Sequence, residues 1–251
     1  MKLLKRIPAS LVSAVFALAI WQVVATVGPI SDSSIPTATE SVKALISLLG
    51  DAETWTAIWE TLEMAVIGFV IAVVIAIPVG ILIGLSGFAF TSTKFTFDFF
   101  KVIPPIVIIP ITILVLGPSL QMGIFLVVFA IVFALAIQTA YGVRDADPIL
   151  LDTLSAYRLG VLSRVRYARL PSAAPFIAVG IRISATAALI VAVVAGLIGG
   201  APGLGRALLL TQTGGLVDQT FAIVLLLGIM GVIVSKGITW LQPRIVFWIP
   251  Q

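Results

Sequence analysis

The feature that most limits how this chain can fold is a run of 42 residues, 102–143, without one charged side chain. A helix rises about 1.5 Å per residue and the hydrocarbon core of a bilayer is roughly 30 Å thick, so the run is too long for one spanning helix. Gly117, Pro118 and Ser119 divide it near its middle. The run therefore predicts two membrane helices, at residues 103–116 and 120–141.

The composition of the whole chain agrees with a membrane protein. Hydrophobic residues make up 60% of it, charged residues only 10%, and the mean hydropathy is +1.21, whereas soluble domains carry about 25% charged residues. Helices satisfy their own backbone hydrogen bonds in lipid. We expect an all-α polytopic membrane protein with about six transmembrane helices, forming a single membrane domain over residues 1–251. The other four spans are predicted at residues 7–31, 64–87, 176–198 and 220–235.

The first of these runs has a second interpretation as a cleaved signal peptide. Its apolar part, residues 11–27, is longer than the roughly 7–15 residues of a signal-peptide core, which favours an uncleaved helix. With both termini in the cytoplasm, 13 of the 15 Lys and Arg residues lie on the inner side, and only Lys43 and Arg206 lie outside. The positive-inside rule supports this orientation.

The orientation assigns the connecting segments to the two sides of the membrane. Residues 32–63 are acidic and are expected to form an external loop with a short helix at 36–50, which is either a plain connector or a contact for an external protein. Residues 88–101 are expected to form a short inner loop. Residues 199–218, rich in glycine and polar side chains, are expected to form an outer loop that dips partway into the membrane.

Two places in the predicted spans are candidates for a solute pathway. Residues 103–116 hold Pro104, Pro105 and Pro110, so the helix start should be irregular, and such segments either line an aqueous route or are simply kinked. Arg182 lies seven residues beyond Pro175, about 10 Å along a helix. Its side chain either reaches the inner surface along its aliphatic stem or binds an anion.

The most polar interval between spans, residues 144–175, carries five of the 15 basic residues. Asp147 is suited to cap a helix and Pro148 to its first position, and Gly160 is expected to end that helix. A second short helix is expected over residues 161–170, closed by Pro171. Two apolar spans flank the interval, so it must lie in water as a compact loop.

Several kinds of chemistry are excluded by the sequence. It has no cysteine or histidine, no GxxxxGK[ST] nucleotide motif, and no Asp or Glu inside the predicted spans. Thiol, imidazole and P-loop catalysis are therefore absent, and a proton-coupled transporter is disfavoured because it needs a titratable group in the membrane. We expect a chain that is not an enzyme and that holds no metal or cofactor.

The loop resembles that of the membrane-spanning permease subunit of bacterial binding-protein-dependent ABC importers, most closely the nitrate, sulfonate and taurine branch. The family's Glu-Ala-Ala triplet falls on Leu154, Ser155 and Ala156, its glycine on Gly160, and its Leu-Pro on Leu170 and Pro171. The glutamate is missing, with Asp152 two residues earlier, and the interval from glycine to proline is about two residues short. The likeness extends over residues 35–236, through segments such as KVIPPIVIIPITILVLG and PGLGRALLL.

The resemblance implies the fold of a type I ABC importer permease whose loop, about residues 144–173, docks on an ATPase subunit. The residues implied in docking are Asp152, Leu154, Ser155, Ala156, Tyr157, Arg158, Leu159, Gly160, Arg164, Leu170 and Pro171. Leu154, Tyr157 and Leu159 would supply apolar contacts. Arg158 and Arg164 would either meet carboxylates of the ATPase or only mark the inner side, and Arg166 and Arg169 are interpreted as such topology markers.

The implied assembly contains a second permease copy, two ABC ATPase subunits that hold ATP and magnesium, and an external solute-binding protein. It would lie in the inner membrane of a bacterium, in contact with lipid and not with nucleic acid. The implied solute is a small anion or zwitterion such as nitrate, a sulfonate or taurine. The alternative is a secondary transporter or channel that works without an ATPase.

Overall fold

The computed structural model describes residues 9–27 and 35–245, without the side chains of residues 9–12, 14 and 241–245. This part of the chain is helical and contains no strand. Its helices are α1 (Ala9–Val27), α2 (Ala38–Leu49), α3 (Ala52–Leu85), α4 (Gly87–Val102), α5 (Pro105–Leu116), α6 (Leu120–Arg144), α7 (Pro148–Ala156), α8 (Val161–Arg164), a π-helical segment (Val165–Arg169), α9 (Leu170–Gly199), α10 (Leu204–Thr213) and α11 (Val217–Ile245).

Each predicted span has a helical counterpart in the described residues. By length and composition, four helices can cross a membrane: Ala52–Leu85, Leu120–Arg144, Val161–Gly199 and Val217–Trp240. The pair α4 and α5 makes a fifth if the two bent helices count as one span, and α1 contributes a shorter apolar stretch, Val15–Val27. The expected all-helical membrane architecture is therefore present.

The expected external loop at residues 32–63 is wrong over its second half. The short helix predicted within it is confirmed as α2, which begins with a capping box between Thr37 and Glu40. However, α3 starts at Ala52, capped by Asp51, and runs for 34 residues. At about 1.5 Å per residue this is roughly 50 Å, longer than the bilayer core. Its acidic first turns belong to the same helix as the span, because a membrane helix does not have to end where the apolar run ends.

The inner loop expected at residues 88–101 is also wrong, since α4 occupies this segment. Ser86 ends α3 and caps α4, where its hydroxyl accepts from the Ala89 N–H at 3.2 Å. No glycine or proline lies between residues 88 and 103, so nothing in the segment prevents a helix. The next helix, α5, begins after Pro104 at an angle of 85° to α4, which confirms the irregular start predicted at the prolines.

Small residues hold the long helices together. Glycines of α3 pack directly on α6: a side chain at Gly80 would meet Thr139, and one at Gly84 would meet the Ala140 carbonyl at 2.8 Å. Gly142 of α6 packs against Phe176 of α9. The close packing predicted for Gly80 and Gly84 is confirmed, and it lets the backbones approach as small-residue motifs do in membrane bundles.

The outer segment at residues 199–218 contains the ten-residue helix α10 and is not only a loop. Leu204, at its start, is buried against Leu45, Ile223 and Leu226. Gly203 precedes it with φ of 113°, a conformation that favours glycine. The helix was not predicted because its ends are polar and its length is too short to span.

Candidate functional site

The start of the predicted loop has the structure that its sequence indicates. Asp147 is the N-cap of α7, where its carboxylate accepts from the Ile149 N–H at 2.8 Å, and Pro148 occupies the first turn. Thr153 and Ser155 turn their hydroxyls back to carbonyls four residues earlier. The helix therefore needs no outside partner to form its first turn.

The end of α7 differs from the prediction that Gly160 stops it. The helix ends at Ala156, and the N–H groups of Arg158 and Leu159 bond to the carbonyls of Ser155 and Leu154 at 2.9 and 3.0 Å. This is a Schellman motif, whose turning residue is usually glycine. Here the turning residue is Arg158, with φ of 56°, and it is the only non-glycine residue with positive φ in the described ranges.

Gly160 lies before the start of α8 and not at the end of α7, where it was predicted. Its φ of −65° is open to any residue, it precedes α8, and a side chain added there would meet nothing within 4 Å. The conformation and the packing within this chain therefore do not require glycine. If only glycine serves at this position, the reason must lie in a partner that approaches the backbone closely.

The second short helix predicted over residues 161–170 is not a separate element. α8, the π-helical segment and α9 form one continuous helix of 39 residues, Val161–Gly199. The Leu170 N–H reaches back five residues to Val165, which makes the π turn. Pro171 follows in the first turn of α9 and Pro175 lies inside it. Proline removes one hydrogen bond from a helix but does not have to end it when the turn before it widens.

The surface of the loop exposes large apolar side chains. Tyr157 is 77% exposed, Leu162 81%, Ile149 75% and Val161 73%. The predicted contacts Leu154 and Leu159 are less exposed, and Leu154 is half-buried. Of the other predicted residues, Asp152, Ser155, Ala156, Arg158 and Gly160 are exposed, Leu170 is 37% exposed, and Arg164 and Pro171 are half-buried.

Sequence reasoning did not single out Ile149, Val161 or Leu162 as contacts. The sequence could have indicated them, because all three are large apolar residues inside the charged interval between two spans. The structure leaves all three exposed.

Three arginines of the loop have distinct surroundings. Arg164 donates from Nε to the Leu159 carbonyl at 3.3 Å, so it also holds the loop together. Arg169 donates from Nη1 to the carbonyls of Gly84 and Leu85, at 3.5 and 3.4 Å. The interpretation of Arg169 as only a topology marker is therefore incomplete, since it binds the end of α3. The exposed Arg166 lies 5.7 Å from the ring of its neighbour Tyr167.

The candidate pathway residues lie on two helices. Pro104 and Pro105 form the start of α5 and Pro110 lies inside it, while Arg182 is exposed on α9. Helix α5 buries Ile109 and Thr112 on one side. Its other side exposes the large apolar side chains of Val107, Ile111, Leu114 and Val115.

Two grooves with charged side chains in their lining open at the predicted outer side of the molecule. One has a volume of about 460 Å³ and is lined by Asp51, Glu53, Glu60 and Arg206, among others. The second, about 570 Å³, includes Thr37, Glu40, Asp218 and Gln219. Acidic side chains outnumber basic ones in both. In the described residues no cluster of side chains is suited to hold a metal ion.

Comparison with known families decides the identity of this arrangement. A family described as the inner membrane component of binding-protein-dependent transport systems matches residues 76–247. The chain belongs to this family. It is thus a permease component of an ABC importer, and the match runs from the last turns of α3 through α4, α5, α6, the loop, α9 and α10 to the end of α11.

Individual relatives agree with the assignment. An ABC transporter permease protein of Brucella melitensis is 29% identical over 216 residues, covering 85% of this chain and 87% of the relative. The taurine transport system permease protein TauC of Escherichia coli is 27% identical over 92% of this chain and 86% of its own length. The nitrate import permease protein NrtB of a Synechocystis strain is 26% identical, covering 75% and 69%.

Solved structures give the same fold. The inward-facing methionine ABC transporter MetNI has a chain that matches 77% of this chain and 94% of its own length, with a TM-score of 0.62 and 23% identity. The predicted type I importer fold is therefore confirmed.

Proposed function

We propose that this permease component works with a second permease copy as the pathway for a small anion or zwitterion, and that its loop at residues 144–173 docks on an ABC ATPase subunit. The observation that carries the proposal is the exposure of Ile149, Tyr157, Val161 and Leu162 in the charged interval between two spans, the last two in the first turn of the long helix Val161–Gly199. Fully burying one large apolar side chain contributes roughly 1.5–3 kcal/mol. Four such groups on one protrusion supply a surface that a protein groove can cover.

The docking surface combines these apolar groups with the residues that the family motif marks. Asp152, Ser155, Ala156 and Gly160 are exposed beside them, and the small side chains at 156 and 160 allow a partner to approach the backbone. The exposed Arg158 is available to meet a carboxylate of the ATPase. Arg164 keeps two guanidinium nitrogens for the same purpose, while its Nε remains on Leu159.

The energy for transport would come from the partner. The sequence has no nucleotide-binding motif of its own, so ATP and magnesium are assigned to two ATPase subunits, and this chain is assigned a mechanical and not a catalytic role. Closure of the ATPase pair on ATP would push the loops of both permease copies and alternate the access of the pathway.

The pathway is assigned to the proline-broken start of α5 and to Arg182 on α9. Broken helices at membrane depth are tolerated where they line protein or water, and a guanidinium matches nitrate or a sulfonate in charge and geometry. Two of the relatives are named for nitrate import and taurine transport, which supports a solute of this class. An external binding protein would deliver it at the outer grooves, and the membrane would be the inner membrane of a bacterium.

The proposal is tested by co-purification with the ATPase and binding protein encoded beside this chain, followed by uptake of labelled nitrate, taurine and an alkanesulfonate into proteoliposomes. Replacing Gly160 with Trp should abolish ATPase binding and uptake while the permease itself stays folded, because the site has open space within this chain. Gly237→Trp is the matched control, since its surroundings are equally open and it lies on α11, outside the loop.

Two results would overturn the proposal. The first is ATPase binding and uptake at unchanged levels in the Gly160→Trp protein. The second is ATP-independent uptake by the purified chain alone, which would identify a secondary transporter or channel.

A further inference from the structure

The two ends of the loop both contact one corner of the molecule, the turn where α3 ends and α4 begins. We call residues 84–90 the α3–α4 corner. At the far end of the loop, the half-buried Arg169 donates to the carbonyls of Gly84 and Leu85. These belong to the last turn of α3, where no helical N–H follows to pair with them. A cation at this position also interacts favourably with the helix dipole.

The near end of the loop contacts the other side of the corner through Arg144. The Arg144 guanidinium, in the last turn of α6, lies 4.5 Å from the ring centroid of Phe90 in the first turn of α4. The ring of Phe90 also packs edge-on against Tyr141 at 5.4 Å. A cation over the face of an aromatic ring is attracted by the negative charge of that face.

Backbone packing joins the same three helices at this level. Gly84 leaves so little room that a side chain there would meet Val143 of α6 at 2.7 Å, and Gly142 of α6 is in equally close contact with Phe176 of α9. The corner, the end of α6 and the start of α9 therefore form one tightly packed unit. A tightly packed unit transmits displacement because it cannot deform gradually.

We propose that Arg144 and Arg169 form a clamp that carries movement of the loop to the α3–α4 corner, and through α4 to the 85° bend before α5. The proposal rests on the loop being the docking element for the ATPase, and it adds the route by which the push reaches the proline-broken helix. Arg169 is the member to change in the test, because it donates to two carbonyls of another helix, 84 and 85 residues away in sequence. Both arginines act as positioning residues and do not contact solute.

A purely structural role for Arg169 makes different predictions. If Arg169 only caps α3, its loss should lower stability, ATPase binding and ATP hydrolysis together. If it transmits movement, its loss should leave the complex assembled and hydrolysing ATP, and should remove the response of the corner. Altered coupling of about 0.5–2 kcal/mol corresponds to a loss of about two- to thirtyfold in solute moved per ATP hydrolysed.

The test places a fluorescent reporter at the corner in the complete complex. The chain has no cysteine, and a side chain at Gly87 meets nothing within 4 Å, so a Gly87→Cys protein can carry bimane as its single label. Fluorescence is compared between the nucleotide-free complex and the complex trapped with ATP and vanadate. This readout does not depend on knowing the solute.

The expected result is a fluorescence change in the otherwise unmutated complex, its loss in Arg169→Gln, and its retention in Arg169→Lys, which keeps a cation for the two carbonyls. Arg166→Gln is the matched control, because Arg166 is exposed and lies over its neighbouring ring. ATPase binding and hydrolysis should stay at the unmutated level in all four proteins.

Four other outcomes count against specific claims. A full fluorescence change in Arg169→Gln, or none in the unmutated complex while it hydrolyses ATP, would overturn the clamp and leave the docking proposal standing. A parallel loss of binding, hydrolysis and thermal stability in Arg169→Gln would show a structural cap only. Failure of the unmutated chain to bind the ATPase would instead refute the proposed function.

Discussion

Thr61 joins α10 to α3 through one buried hydrogen bond, and removing it should loosen α10. Its hydroxyl accepts from the Leu204 N–H at 2.8 Å and donates to the Ala57 carbonyl at 2.8 Å. Thr61 is fully buried and Leu204 is 1% exposed, so no water replaces the hydroxyl. Valine at residue 61 keeps the volume of the side chain and removes the hydroxyl, which is both the acceptor for Leu204 and the donor to Ala57.

The size of the loosening follows from the buried Leu204 N–H, which Thr61→Val leaves without a partner. A buried N–H without a partner costs about 1–3 kcal/mol, and about 1.4 kcal/mol corresponds to a factor of ten in an equilibrium constant. Local opening at the start of α10 should therefore increase about 5- to 150-fold in Thr61→Val. Leu204 keeps its apolar contacts with α2 and α11, so the helix should loosen without leaving the core.

Hydrogen exchange of peptides from residues 200–213, measured in a lipid nanodisc, reads this opening directly. Thr61→Ser keeps the hydroxyl and should keep slow exchange. The matched control is Thr56→Val, because Thr56 makes the same bond to a carbonyl four residues earlier but is exposed. Exchange in Thr61→Val that equals exchange in Thr56→Val would refute the reasoning.

Two further predictions concern local backbone and charge. Arg158→Gly should relieve the left-handed strain at φ 56° and stabilise the end of α7 by about 1 kcal/mol. Hydrogen exchange of the Leu159 amide should then slow about fivefold, whereas Arg158→Ala should leave the exchange rate unchanged. Equal exchange rates in the two variants would contradict the assignment. The backbone N–H of Thr37, and then its hydroxyl, lower the pKa of Glu40 below its usual value of 4.5, so the charged form supports the start of α2. That support is present above the usual carboxyl pKa and is lost as the pH falls through the lowered value. Exchange at residues 37–42, corrected for its intrinsic pH dependence, should show this acid transition in the unmutated protein and not in Glu40→Gln.

Local signals predicted some element boundaries well and others poorly. Asp147 and Pro148 marked the start of α7 correctly, because capping depends on a few neighbouring atoms. Gly160 does not end α7 as predicted, because Arg158 adopts the left-handed conformation two residues earlier. Pro171 also does not end the helix as predicted. The π turn at Val165–Arg169 accommodates the hydrogen bond that the proline cannot make, so the helix continues. A propensity for ending a helix is a preference that packing can override.

The candidate site was predictable in position but not in contacts. The loop was located by its charge between two apolar spans, and its exposed surface agrees with that position. In the sequence, Arg144 and Arg169 could be identified only as positive charges, not as contacts between helices. Arg169 meets Gly84 and Leu85 because α3 and α9 pack side by side against α6, and nothing near residue 169 in the sequence carries that information.

The sequence by itself determined that the chain is helical and lies in a membrane, because long uncharged runs must satisfy their own backbone in lipid. It also determined the order of the spans and the place of the loop between them. Only the tertiary structure decided how far α3 extends beyond the apolar run, by what angle α4 turns into α5, and which arginines reach another helix. These features depend on contacts between residues far apart in the chain, and such contacts form only when the helices pack.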